Sequence, residues 1–183
     1  MTVHEHLCHL ARVLVLALWI SSAAIVTAAE DKHSRSAVDV ENEARSRSIV
    51  WSRQAVEDAR RLYSEAAKLW IREKDIRRAA GCYREAAKLA QTLSDYESAL
   101  ASLRAALRLK QGKTESEGAV ISMSLFSLVS RQQGNKVEAE RYATAAIRAA
   151  ENVPEYEAKA YALFASGVYT FYYGEVQQAL NLF

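Results

Sequence analysis

The chain has few residues that interrupt regular structure. Its 183 residues include one proline and six glycines, the two residue types that most often end helices and strands. This scarcity predicts long helices joined by short connections. No segment alternates apolar and polar residues in the manner of a half-buried strand. The sequence therefore predicts an all-α fold class.

The chain also lacks an excess of charge of one sign. Its net charge is +2, so the total charge does not indicate a nucleic-acid partner. Basic residues outnumber acidic ones between Ala44 and Lys88. Acidic residues are interleaved with them, however, which is typical of a solvated helix face. We therefore expect no nucleic-acid partner.

The sequence has no apolar run as long as the roughly 20 residues that a membrane-spanning helix needs. The longest run extends from Val13 to Val26, after a polar opening that ends at Arg12. Small residues follow, up to Ala29. This order predicts a secretory signal peptide at residues 1–28, cleaved after about Ala28. We expect an exported protein, periplasmic or extracellular; the alternative is an uncleaved N-terminal membrane anchor.

Cysteine and histidine are scarce outside the predicted signal peptide. Only Cys82 and His33 remain after its removal. Cys82 lies in an alanine-rich predicted helix, where we expect a small buried apolar residue rather than a reactive thiol. No nucleophile–base pair, metal-ligand cluster or phosphate-binding loop can be assembled from these residues. The sequence predicts no enzymatic activity, no metal and no cofactor.

The remaining chain divides into a polar leader and a helical region. Residues 29–51 form a polar leader. The part from Glu30 to Glu43 is polar and acidic with no sustained apolar periodicity, which predicts a flexible segment, and a helix beginning between Ala44 and Trp51 is the alternative for the remainder. From Ser52 onward, apolar residues recur at helical spacing. Cap signals separate seven predicted helices joined by short links. These signals are Asp75, the boxes Ser94–Glu97 and Thr114–Glu117, Gly134-Asn135, Pro154 and Gly174-Glu175.

Two internal repeats organise this helical region. The segment Tyr63–Leu69 recurs twenty residues later as Tyr83–Leu89, with Glu-Ala-Ala-Lys-Leu unchanged. Small residues also recur with a period of about forty residues, as at Ala99, Ala139 and Ala179. One period of about forty residues holds two helices, so the two copies of the repeated segment lie on successive helices. We expect its Ala-Ala pairs to be close-packing points. Repeats of this kind predict antiparallel helical hairpins stacked into an α-solenoid.

The spacing of these small residues resembles the tetratricopeptide repeat (TPR) family. Its second-helix pattern is matched by Ala99, Leu103 and Ala106, and again by Ala139, Ala143 and Ala146. The period of about forty residues exceeds the family's thirty-four. The repeated segment is similar to those of SNAP-type helical arrays. Exported bacterial TPR regions that precede CHAT-type peptidase domains are also similar. The resemblance covers residues 52–183 and implies a helical repeat domain that is truncated at its C-terminal end.

The resemblance implies a binding site on the concave face formed by the first helix of each hairpin. The resemblance also implies that the chain is a scaffold that binds a protein or peptide partner at this site. The simpler alternative for the charged members is an ordinary solvated helix face. A second functional alternative is a regulatory or substrate-docking region of a larger enzyme, such as a CHAT-type peptidase, with its catalytic domain beyond Phe183. The implied residues are Arg84, Lys88, Gln91, Ser124, Leu128, Arg131, Phe164, Val168 and Phe171.

An aromatic cluster near the end of the chain contains Tyr169, Phe171, Tyr172, Tyr173 and Phe183. Core packing between hairpins is the default interpretation of such spacing. If these side chains are exposed, they indicate a partner or a continuation of the repeats. Self-association through this end is a third hypothesis.

Overall fold

The structure, a computed structural model, describes residues 35–109, 116–174 and 176–182. The predicted signal peptide lies outside these residues. Within them there are eight helices and no strand, which confirms the all-α class. All eight belong to one compact unit, Ala37–Phe183. The helices are α1 (Ala37–Ser48), α2 (Arg53–Arg72), α3 (Ile76–Thr92), α4 (Tyr96–Leu109), α5 (Glu117–Gln132), α6 (Lys136–Glu151), α7 (Tyr156–Tyr173) and α8 (Val176–Leu180).

Helix α1 occupies the segment for which the sequence predicts a flexible leader. It is a polar helix that buries only three residues, Ala37, Val40 and Ala44. These three pack in one cluster with residues of α2 and α3. The Trp70 indole donates a hydrogen bond to Glu41 at 2.8 Å, which ties α2 to α1. The leader is therefore partly helical, and the first hairpin of the unit is α1–α2.

Each helix packs against the next one along the chain, and alternate helices also touch. Contacts join α5 to α7 and, less extensively, α3 to α5. The helices α3, α5 and α7 therefore lie side by side, and α4 and α6 are the intervening partners. This arrangement is compatible with a helical repeat.

Two hydrophobic clusters fill the unit, and both are rich in alanine. One joins α1, α2 and α3 around Leu62, Tyr63 and Trp70. The other joins α3 to α7 around Leu103 and Phe126. The Ala-Ala pairs of the repeated segment are all buried, as predicted. Their small side chains allow neighbouring helices to approach closely. These are Ala66, Ala67, Ala86 and Ala87.

Three connections between helices share one backbone conformation. Lys74, Ser94 and Gly134 have φ values of 64°, 60° and 86°, in the left-handed region. In each case the next residue's amide donates to a carbonyl five residues back, as Asp75 does to Trp70 at 2.9 Å. This is the Schellman ending of a helix. Asp75 and Asn135 then cap α3 and α6, as predicted, accepting from Arg78 at 2.9 Å and Glu138 at 3.1 Å.

The structure corrects three of the predicted caps. Asp95, not Ser94, caps α4: its carboxylate accepts from the Ser98 amide at 3.2 Å. Ser94 cannot do so because it occupies the left-handed position that ends α3. Pro154 lies outside the first turn of α7, since Glu155 is the N-cap and the helix begins at Tyr156. The second predicted box is also wrong, because Ser116 is the N-cap of α5 and Glu117 is its first residue, not the third. Thr114 of that box lies outside the described residues.

Candidate functional site: a charged cleft on helices α3, α5 and α7

The three alternate helices line a common open cleft of about 580 Å³. Helix α3 supplies Arg77, Arg84 and Lys88, all cationic. The opposite side carries Glu117 at the start of α5 and Glu157 at the start of α7. Between these walls lie the apolar residues Ile121, Leu125 and Tyr161. The cleft therefore has one mainly basic wall, which also carries Glu85 of α3, one acidic wall, and an apolar strip in which Ile121 and Leu125 are buried.

The Arg84 guanidinium is held against α5. Arg84 is partly buried, and its guanidinium donates to the Gly118 carbonyl at 3.5 Å. Burial lowers the pKa of Arg84, while the negative charges of Glu85, Glu117 and Glu157 act in the opposite direction. Removing a guanidinium from water is costly unless other groups stabilise its charge. The acidic wall contributes to that stabilisation.

Lys88 lies one helical turn from Arg84 and forms an ion pair with Glu85. The distance between Lys88 Nζ and the Glu85 carboxylate is 2.6 Å, and both side chains are substantially exposed. An exposed pair at this spacing is worth only about 0.3–0.5 kcal/mol. A ligand carboxylate could therefore displace Glu85 from Lys88 at little cost.

A second cleft, of about 770 Å³, adjoins the first. It lies between α1, α2 and α3 and is lined by Glu41, Arg45 and Tyr63, among others. The two clefts share Arg77, Arg84 and Glu85. The charged surface therefore continues across α3 towards α1.

The structure places the predicted groove residues in different environments. Arg84 and Lys88 line the first cleft, whereas Gln91, Arg131, Phe164 and Phe171 do not. Gln91 donates a hydrogen bond to Gln132 at 2.7 Å. The Arg131 guanidinium lies 4.2 Å from the centre of the Tyr172 ring.

Helix α5 buries one residue that the predicted groove includes. Ser124 is fully buried, and its hydroxyl donates to the Val120 carbonyl at 2.9 Å. It therefore offers no surface to a ligand. The groove prediction missed the cleft residues Ile121 and Tyr161. Their separation equals the forty-residue period, so the repeat itself could have identified them.

Cys82 is buried, as predicted, with 2% of its surface exposed. It is a free thiol. Burial, together with the nearby carboxylate of Glu41, raises its pKa to about 12. Because the thiolate is the reactive form, a thiol with this pKa is inert at neutral pH.

The aromatic cluster is only partly packed. Tyr169 and Tyr173 pack together, with ring centres 5.3 Å apart. Phe171 and Tyr172 remain 53% and 59% exposed. Helix α7 therefore presents large apolar side chains at its surface. Phe183, the last member of the predicted cluster, lies outside the described residues.

No protein-family model, curated protein or solved structure matches the chain. Among the residues that the structure describes, no three histidine, cysteine or carboxylate side chains are grouped so as to hold a metal ion. No described helix combines the length and apolar content needed to cross a membrane.

Proposed function

We propose that this chain is an exported protein–protein interaction scaffold, a TPR-like α-solenoid that binds a peptide segment of a partner protein. The observation that carries the proposal is the cleft shared by α3, α5 and α7. Alternate helices of a stacked hairpin array form one continuous face. Here these helices share an open cleft that combines an apolar strip with one mainly basic and one acidic wall.

The chemistry of the cleft favours a peptide with both apolar and charged side chains. Tyr161 is partly buried and can contact an apolar side chain, with the buried Ile121 and Leu125 beneath the cleft surface, and Arg84 and Lys88 can bind a carboxylate. Because both cations lie on a rigid helix, binding requires little additional ordering of the scaffold. The peptide's acidic group is expected to lie over α3, and any basic group towards Glu117 and Glu157.

A peptide-display selection against the purified chain tests this function. We expect selected peptides to share an acidic residue flanked by apolar ones. Their affinity, measured by fluorescence anisotropy, should fall about tenfold in Lys88→Gln, in keeping with the loss of one charged hydrogen bond. Arg108→Gln, a change at an exposed cation on α4, is the matched control. Failure to select any peptide, or equal binding by both variants, contradicts the proposal.

Export is tested separately by fusing residues 1–36 to a reporter enzyme that is active only outside the cytoplasm. We expect reporter activity and a new N-terminus close to Ala29. Cytoplasmic retention contradicts export and leaves the peptide-binding proposal standing, since the two rest on different residues.

A further inference from the structure

Gly81 lies in the interior of α3, where neither the backbone nor the packing requires a glycine. Its φ is not positive, and glycine is less favourable than alanine inside a helix. The atom nearest to a Cβ built at Gly81 is Nη2 of Arg84, at 3.8 Å, which is an ordinary van der Waals contact. A larger residue would therefore fit the fold. The missing side chain leaves space in the second cleft, which Gly81 lines.

Two arginines flank this space. Arg77, Gly81 and Arg84 follow one another at steps of four and three residues, which places them on one stripe of α3, and all three line the second cleft. Nη1 of Arg84 donates to the Gly118 carbonyl at 3.5 Å, whereas Nη2 lies over Gly81. The Arg84 side chain therefore extends along α3 in the direction of Arg77.

These two arginines have no ion-pair partner, although three carboxylates line the same cleft. No carboxylate of residues 35–109, 116–174 and 176–182 forms an ion pair with Arg77 or Arg84. Carboxylates act on Arg84 only at longer range. The three carboxylates of the cleft are each paired with another cation: Glu41 with Arg45 at 3.2 Å, Asp75 with Arg78 at 3.5 Å and Glu85 with Lys88 at 2.6 Å. Two guanidinium charges are therefore left for a ligand.

We propose that the second cleft binds the phosphoryl group of a small soluble molecule, held over Gly81 between Arg77 and Arg84. Guanidinium groups match phosphate oxygens with paired hydrogen bonds. A phosphate monoester carries close to two negative charges at neutral pH, which balances two arginines, whereas a single carboxylate carries one. The cleft volume of about 770 Å³ leaves room for the rest of a small molecule. This site goes beyond the proposed peptide binding and does not require it.

Isothermal titration calorimetry of the purified chain with glycerol phosphate and with inorganic phosphate tests the site. We expect a Kd of roughly 0.1–1 mM for both, in keeping with two hydrogen bonds to charged groups, and binding of succinate at least tenfold weaker. Arg77→Gln should weaken phosphate binding at least tenfold. Arg148→Gln, at an exposed cation of α6, is the control and should not.

Three results would overturn the proposal. The first is no binding of either phosphate compound. The second is binding of succinate as tight as that of glycerol phosphate, which would show that the site does not select a phosphoryl group. The third is binding of vesicles that contain phosphatidic acid without binding of the two soluble compounds, which would assign the phosphoryl group to a lipid.

Filling the space over Gly81 separates this site from the peptide cleft. Gly81→Leu should abolish phosphate binding without lowering Tm, because leucine favours a helix more than glycine does. It should leave the binding of selected peptides unchanged, since Gly81 lines only the second of the two clefts. Ala101→Leu, on the exposed face of α4, should alter neither. A Gly81→Leu chain that binds glycerol phosphate as tightly as the unchanged protein overturns the proposal. A chain that binds phosphate but selects no peptide contradicts only the proposed function.

Discussion

Gln91 Nε2 donates a hydrogen bond to Gln132 Oε1 at 2.7 Å, joining the C-terminal ends of α3 and α5 across 41 residues of sequence. The Arg131–Tyr172 contact joins α5 to α7 across the same separation. Two contacts at one spacing indicate that the three helices are displaced from one another by one repeat. Alternate helices are therefore joined by specific side-chain contacts at one-repeat spacing.

The Gln91–Gln132 bond should contribute a small coupling energy. A double-mutant cycle with Gln91→Ala and Gln132→Ala, measured by urea denaturation, should give about 0.5 kcal/mol, the low end for a hydrogen bond, because the pair is exposed. A cycle with Gln133→Ala in place of Gln132→Ala is the control and should give no coupling. Equal coupling in both cycles would show that the bond has no energetic role.

Glycine should be the most stabilising residue at each of the three left-handed turn positions. Lys74→Gly and Ser94→Gly should each stabilise the protein by about 0.5–1 kcal/mol, because glycine has no Cβ to strain a positive φ. Gly134→Ala, at the equivalent position, should destabilise it by a similar amount. Thermal denaturation followed by circular dichroism measures all three changes.

The control for these turns is Glu73→Gly, one residue before Lys74, where φ is −77°. Glycine relieves no strain there and adds flexibility to the unfolded chain, so stability should fall. A gain in stability at Glu73 equal to that at Lys74 would rule out strain as the cause.

Asp95 should make the stability of α4 depend on pH. Its pKa is lowered by hydrogen bonds from the Ser98 hydroxyl and amide and by the charge of Arg60, whose guanidinium lies 3.3 Å away. A carboxyl group with a lowered folded pKa stabilises the fold above its unfolded pKa of about 3.9. That stabilisation is lost as the pH falls through the folded pKa.

We therefore expect Asp95→Ala to cost about 1 kcal/mol at pH 7, as loss of an N-cap typically does. The difference from the unchanged protein should shrink below about pH 4, where the unfolded carboxyl takes up its proton. Denaturant titrations at pH 7 and pH 3 measure it. Asn135→Ala, which removes an uncharged cap, should lose similar stability at both pH values.

The Cys82 thiol should be unreactive while the protein is folded. Because burial raises its pKa to about 12, very little thiolate is present at pH 8. In a Cys8→Ser chain, where Cys82 is the only cysteine, Ellman's reagent should react only after unfolding in guanidinium chloride. Rapid reaction of the folded chain would show that Cys82 is accessible.

The sequence predicted the features that depend on local residues. Asp75 and Asn135 are predictable as caps because each lies directly after a helix-ending turn. The prediction of Ser94 as a cap is wrong because a serine and an aspartate adjoin, and only the backbone conformation shows which one caps. The start of helix α1 at Ala37 is not predictable because its three buried residues give little apolar periodicity on a polar helix.

The candidate cleft was predictable on one side only. Arg84 and Lys88 follow from the helix register that the TPR resemblance implies, which places both on one face of α3. The facing carboxylates Glu117 and Glu157 come from the starts of two other helices, and single-helix patterns do not show which helix ends meet. The shared period of Ile121 and Tyr161 is the one signal that joins the two sides.

Helix α3 contributes Ala79, Cys82 and Ala86 to one hydrophobic cluster and Ala87 and Ala90 to the other. Loss of this helix therefore removes one wall from each cluster, and neither half retains a complete core without it. The unit should melt as a single cooperative transition rather than repeat by repeat. Substitutions in α3 should accordingly lower the melting temperature of the whole chain.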